Sequence, residues 1–433
     1  MSQPHEVRDV YRRSYRIGET DQDLLGRSRR WILAAGLAAM FAVSAGQYGF
    51  GVILPALGPG HGWPVAHAAW LLPIWVAAQA IAVGFARTGR RASPMINVLA
   101  GAVLCAAGLL TLAHAREFAT LALGYGVLSG AGSGLVYGSC VRAVARWYPE
   151  RATLVSALTG AFAYGAIPVL ILLGVFATPP DAVLLLDVAA VVVFVVVGAA
   201  ALVLRNPPPN WWPGEVDPRV WAVDKSVNRG LRDNWPAIRR YAPGELLHCP
   251  AAWLMYAVVV CVSAGCLFDI GYLAVFANGA GWGWWFAIAD AVLFAAASGA
   301  VRGPAGRACD RFGRRRMLFA AVALGALGQV LLLGAAQYRW AGLFAAGVVL
   351  AGFGLGTAYA LLPRVVNGFF GDESAMANFG VLYSAKGIGG VLGVGVVAVA
   401  GGQAGFVAAA VLALGCLVLV PALHQPGRTL ALA

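Results

Sequence analysis

Lysine is nearly absent from this 433-residue chain, which has only Lys225 and Lys386. Charge of any kind is scarce: 12% of residues are Asp, Glu, Lys or Arg, against 60% hydrophobic residues and a mean hydropathy of +0.75. So little polarity excludes an ordinary soluble globular domain. The polar residues that remain are scattered. No Ser/His/Asp or Cys/His arrangement, metal-ligand spacing or phosphate-binding loop occurs, so no enzyme, metal or cofactor is expected. The seven cysteines have no paired spacing and read as small apolar packing residues. Strict polar-apolar alternation is missing too, which argues against a membrane barrel. The first thirty residues hold no apolar core with a cleavage site, so no removable signal peptide is expected.

What is present is a series of long apolar runs. Stretches of about 20 residues, enough to span a bilayer as helix, begin near Trp31, Ala66, Ile96, Phe118, Thr153, Ala182, Ala251, Trp284, Met317, Ala341, Asn378 and Ala404. They predict an all-α membrane protein of twelve transmembrane helices in two pseudo-symmetric six-helix bundles, residues 31–204 and 251–423. The proline-, tryptophan- and charge-rich segment 205–250 breaks the pattern and is expected to be a cytoplasmic linker. Residues 1–30 and 424–433 form tails. Seven basic residues lie between Arg8 and Arg30 and seven more between Arg205 and Arg240, while the connections of the opposite side carry only Arg116 and Arg339. Both termini are therefore expected in the cytoplasm, in a bacterial inner (plasma) membrane. This asymmetry accounts for the net charge of +12 without nucleic acid as a partner. The expected partners are the lipid bilayer and a small organic anion.

The halves repeat. A shift of 222 residues superposes Gly130, Gly132 and Gly134 on Gly352, Gly354 and Gly356, Tyr137 on Tyr359, Arg142 on Arg364 and Glu150 on Asp372. No strand precedes either glycine triplet, so close helix packing explains them better than nucleotide binding. The same shift sets Lys386 opposite Tyr164 and Gln47 opposite Asp269. Lys386 lies in the apolar run Phe379-Gly-Val-Leu-Tyr-Ser-Ala-Lys-Gly-Ile-Gly-Gly, where charge is costly and usually functional. Asp187, Asp269 and Asp290 are also expected within the membrane. Asp269 is a candidate coupling residue or internal counter-ion. Trp211 and Trp212 are expected to rest on the membrane surface, and Trp282, Trp284 and Trp285 to form an interfacial belt. His114 reads as a solvated histidine.

The segment Gly306-Arg-Ala-Cys-Asp310-Arg311-Phe-Gly313-Arg314-Arg315 resembles the signature loop between the eighth and ninth helices of the major facilitator superfamily. That resemblance implies twelve helices, alternating access, a monomer, and a cytoplasmic gating latch built from Asp310 and the arginines. The first-half counterpart keeps Gly89, Arg90 and Arg91 but has Ala86 where the aspartate belongs, which puts an equivalent latch there in doubt.

Gln47-Tyr48, Ala145-Arg-Trp-Tyr-Pro149, Arg302 and Asn378-Phe-Gly-Val-Leu-Tyr-Ser-Ala-Lys386-Gly resemble, more narrowly, the oxalate:formate antiporter family and its monocarboxylate-transporter relatives. The resemblance implies that Arg302 and Lys386 bind carboxylate, that Gln47 and Tyr48 form the opposing polar wall, and that Tyr164, Tyr359 and Tyr383 contribute. Ser298 stands where proton-coupled relatives carry an aspartate, and a hydroxyl cannot load and release a proton near neutral pH. The expected activity is secondary transport of mono- or dicarboxylates such as oxalate and formate, by anion exchange. A proton-coupled monocarboxylate symporter, a drug-efflux carrier on the same fold and a non-transporting carboxylate sensor are the alternatives.

Overall fold

A computed structural model describes residues 5–61, 65–85, 93–176, 179–234, 236–371 and 374–427. Among these, eleven helices are long and apolar enough to cross a membrane: α1 (Arg30–Tyr48), α2 (His67–Gly84), α3 (Pro94–His114), α4 (Phe118–Trp147), α5 (Thr153–Val175), α6 (Asp181–Val203), α7 (Pro250–Gly279), α8 (Trp284–Phe312), α9 (Arg314–Tyr338), α10 (Ala341–Phe370) and, last in the chain, α12 (Gly402–Ala422). Their starts lie within a few residues of those read from hydropathy. The remaining span, α11 (residues 375–400), is not one continuous rod. It runs as Ala375–Tyr383, Ala385–Gly390, a π-helical turn Val391–Gly395, and Val396–Ala400. The break falls at Ser384, whose hydroxyl donates back to the Val381 carbonyl at 2.7 Å, a side-chain bond that competes with the helical ladder. The first span is interrupted as well: Arg30–Ala42 and Ala45–Tyr48 are followed after Gly49 by a further helix, Phe50–His61.

The glycine triplets show how the repeat is built. In the first half, a methyl group on Gly130 or Gly134 would collide with the Trp75 or Gln79 carbonyl of α2, and one on Gly132 would lie 2.9 Å from the Gly101 carbonyl of α3. In the second half, Gly352 and Gly356 meet the Phe294 and Ser298 carbonyls of α8 in the same way, and Gly354 meets Gly325 of α9. The outer two glycines of each triplet thus bed one neighbour and the middle glycine beds the other. Backbone approaches this close need the missing Cβ, and dispersion between them replaces the hydrophobic drive that lipid cannot supply.

The halves meet at both ends. Gly380 of α11 packs on Gly84 of α2, and Gly395 packs on the Trp70 indole at the other end of the same two spans. Gly306 of α8 lies against Thr153 and Ser156 of α5, while Gly174 of α5 faces Trp285 and Ile288. Residues midway along these helices are therefore sealed from both faces: Lys386 is 2% exposed and Arg302 3%.

One departure from an all-α chain is a short antiparallel hairpin, β1 (His5–Arg8) and β2 (Ser14–Ile17). It docks on the linker through an Arg16 amide bond to the Asn210 carbonyl and a Trp212 amide bond to the Arg16 carbonyl. Trp211 and Trp212 consequently do not rest on a membrane surface. They are 4% and 5% exposed, held between the hairpin, Trp147 and the linker. The later linker residues pack on the second half, where Tyr241 donates to the Phe370 carbonyl and its own carbonyl accepts from Asn378. Of the expected belt, Trp285 faces outward, whereas Trp282 packs among Phe276, Phe286 and Phe344.

Candidate functional site

The interruption of the first span presents two adjacent side chains, Gln47 and Tyr48, to the second half. Each meets one of the two buried cations. The Lys386 ammonium donates to Gln47 Oε1 at 2.8 Å, to Gln79 Oε1 at 2.5 Å and to the Tyr383 hydroxyl at 3.2 Å. It also lies 5.3 Å from the centre of the Tyr383 ring and 5.8 Å from that of Tyr359, within cation–π range. Arg302 donates from one terminal nitrogen to the Tyr48 hydroxyl at 2.6 Å and Ser298 Oγ at 3.0 Å, from the other to the Thr159 carbonyl at 2.7 Å, and from Nε to the Ser298 carbonyl at 3.2 Å. Among the described residues no carboxylate comes within 4.0 Å of either cation. Two buried positive charges are therefore held by neutral dipoles alone. On insertion scales each cation costs about 3 kcal/mol at the centre of a spanning helix. Neutral acceptors satisfy the donors but leave the net charge standing.

The aromatic wall is equally specific. Tyr137 stacks on Tyr383 with centroids 5.7 Å apart, and the Tyr359 hydroxyl donates to Ser263 Oγ at 2.7 Å. Gln47, Tyr48, Tyr359 and Tyr383 thus converge around the cations. Tyr164 does not. It is 36% exposed in a groove with Leu37, Phe41 and Pro168, its ring lying over Gly299 of α8. The shift that aligned it with Lys386 matches positions along the chain but not the faces the two helices present. Gln79 escaped sequence reading, although it is the single side-chain amide in α2. Its Nε2 is anchored by Ser133 at 3.2 Å, which points Oε1 at Lys386.

The embedded aspartates are placed apart from the two cations. Asp269 accepts from Gln329 Nε2 at 2.7 Å, and its other oxygen and Gln329 Oε1 are buried without partners. Asp187 pairs with His114 at 2.8 Å on the surface, so that histidine is not merely solvated. Asp290 is buried, with Oδ2 unpartnered.

At the linker face, Asp310 pairs with Arg364 of α10, which also donates to the Gly306 carbonyl. The linker residue Asn234 accepts from the Arg314 amide at 2.8 Å and donates to the Cys309 carbonyl at 2.9 Å, so one amide ties the end of α8 to the start of α9. Between them Gly313 turns at φ +87°, a conformation that favours glycine. Gly306 is small because α5 crosses there. Gly89, Arg90 and Arg91 lie outside the described residues.

Residues 283–429 match the model of the Major Facilitator Superfamily. The chain is 28% identical over 401 residues to an uncharacterized 38 kDa protein in the 23S RNA operon of Thermoproteus tenax, covering 91% of this chain and 95% of that one. It is 24% identical over 323 residues to the oxalate:formate antiporter of Oxalobacter formigenes, 70% of this chain and 68% of that one. Over 139 residues it is 35% identical to monocarboxylate transporter 11 of Mus musculus, 30% of each chain. A crystal structure of a D-xylose-proton symporter superposes with a TM-score of 0.66 at 14% identity, over 92% of this chain and 99% of that one. A nucleoside transporter superposes at 0.65 and 10% identity, over 91% and 100%. These structural likenesses carry the fold alone.

Proposed function

We propose that this chain, an integral membrane transporter with the major facilitator fold, carries small mono- or dicarboxylates such as oxalate and formate by exchange, with its linker and tails on the cytoplasmic side. The observation that carries this reading is the pair Arg302 and Lys386, buried between the halves and held only by neutral oxygens. A dicarboxylate supplies two negative charges to two positive ones. Arg302 can offer two parallel donors to one carboxylate, and Lys386 a mobile point charge to the other. The anion would take over donors now engaged by Tyr48, Gln47 and Gln79, so substrate entry and release of the helix contacts are linked. Without an anion the site keeps two uncompensated charges, which slows the empty carrier's return and ties the entry of one anion to the exit of another. The names of the oxalate:formate antiporter and the monocarboxylate transporter support the same substrate class.

Proton symport is the second reading, favoured by Asp269 and Gln329. One added proton would make the orphan Asp269 oxygen a donor, and Gln329 Oε1 is an acceptor without one. Purified protein in liposomes should take up labelled oxalate, formate, lactate or malonate only when unlabelled anion is inside. Uptake driven by a proton gradient with empty liposomes would replace exchange by symport, and no uptake of any carboxylate would remove both readings.

A further inference from the structure

On the linker face, a cleft of about 610 Å³ opens where the ends of α8, α9, α10 and α12 meet the linker. Arg232, Arg314, Arg315, Arg316 and His424 line it, with Asp233 as its one carboxylate among the described residues. No carboxylate among the described residues lies within 4.0 Å of Arg232, Arg315 or Arg316. Asp310, the nearest acid of the signature loop, is already engaged by Arg364. At the start of α9 the Asn234 side chain takes the Arg314 amide, and the helix dipole adds positive charge in the first turn, where Arg315 and Arg316 stand.

Beside these cations the lining is apolar. Phe312 and Phe319 are 48% and 42% exposed, with Val420 and Leu423 behind them. Phe319 is four residues after Arg315 and three after Arg316, which on a helix sets a phenyl ring one turn, about 5.4 Å, below two guanidinium groups on the same face. A soluble phosphate or nucleotide would use the arginines and leave the phenyl groups wet. A phospholipid uses both, with its phosphate at the arginines and its acyl chain on Phe319.

We propose that this cleft binds the headgroup of an anionic glycerophospholipid. Basic pockets between spanning helices favour such headgroups, and here the bound lipid would also touch Arg232 and Asp233, beside the Asn234 stitch between α8 and α9. The site is separate from the two buried cations and stands whether or not the carboxylate reading does.

The test uses the full chain in detergent, with thermal melting followed as lipid is added. Phosphatidylglycerol should raise the melting temperature saturably and less so at high salt, while phosphatidylcholine and soluble glycerol phosphate should not. Arg316→Gln, at an exposed position, should weaken the phosphatidylglycerol response about fivefold, and Arg315→Gln with Arg316→Gln should abolish it; Arg339→Gln at the opposite face should change nothing. Should the double variant fail to fold, the single variant still decides. An equal response to phosphatidylcholine, or an unchanged response in Arg316→Gln, overturns the proposal, and an equal response to glycerol phosphate makes the occupant a soluble anion.

Discussion

The two halves are built alike and charged differently. Gly130, Gly132 and Gly134 bed α4 on α2 and α3 as Gly352, Gly354 and Gly356 bed α10 on α8 and α9. Yet at the centre the second half supplies both cations, Arg302 and Lys386, and the first half supplies only oxygens, from Gln47, Tyr48, Gln79 and the Thr159 carbonyl. The 222-residue shift sets Arg302 opposite Ala80, next to Gln79. Packing tolerates few changes and keeps its repeat. The polar positions are free to diverge, because each helix has only to present one suitable side chain to the other half. The result is an interface in which one half donates and the other accepts, a division that a bound anion can interrupt.

The largest break in that asymmetry is Lys386→Gln. It should reduce carboxylate exchange on the order of a hundredfold or more, since a charge-assisted contact is lost outright, with expression and melting retained; unchanged affinity in a counterflow assay would remove Lys386 from the site. Arg302→Lys keeps the charge and loses the fork, so affinity for oxalate should fall about tenfold, and more than affinity for a monocarboxylate. On the accepting side, Gln79→Leu leaves a buried ammonium donor without its oxygen and should cost about 1–3 kcal/mol of stability. Added oxalate should then raise that variant's melting temperature more than the parent's.

The shared scaffold can be probed in the same comparative way. Gly354→Ala forces a methyl group into the Gly325 backbone, whereas Gly132→Ala meets the Leu104 side chain at 2.8 Å and the Gly101 carbonyl at 2.9 Å. Both should destabilise, by about 1–3 kcal/mol, and Gly354→Ala by the greater amount in parallel thermal melts. The smallest effect belongs to the hairpin. Burial pushes the Asp9 carboxyl up, but the Arg13 amide and guanidinium and the Tyr15 hydroxyl outweigh it and hold it below its usual range. A depressed value means that this contribution is present above the unfolded carboxylate pKa of about 3.9 and lost as pH falls through the folded value. Asp9→Asn should cost less than about 1 kcal/mol and flatten hairpin exchange protection below pH 4, leaving transport unchanged.

Much of the architecture was legible because membrane spans announce themselves by length and hydropathy, and because two copies of a glycine triplet point to one packing rule. The family resemblance marks Gln47 and Tyr48 as the wall facing Arg302 and Lys386, and helix position and repeat symmetry add Tyr359 and Tyr383, all of them polar groups in apolar helices. Gln79 met the same criterion and was passed over, since no motif carries it. Tyr164 was misplaced because equivalence along the chain does not fix the direction of a side chain on a helix. The break at Ser384 depends on one hydroxyl choosing a carbonyl three residues back, a local competition that hydropathy cannot register. The burial of Trp211 and Trp212 depends on a hairpin some 200 residues earlier in the chain, beyond the reach of any local pattern.

The linker changes sides over a very short distance. Residues up to Trp221 belong with the first half and the terminal hairpin, and those from Arg229 onward with α8, α9 and α10, while 225–227 lie exposed between them. A nick at that seam would leave each bundle wearing its own collar of linker. The molecule is in that sense two proteins written as one, and a pair of separately encoded halves, cut beside Lys225, should find each other and reassemble.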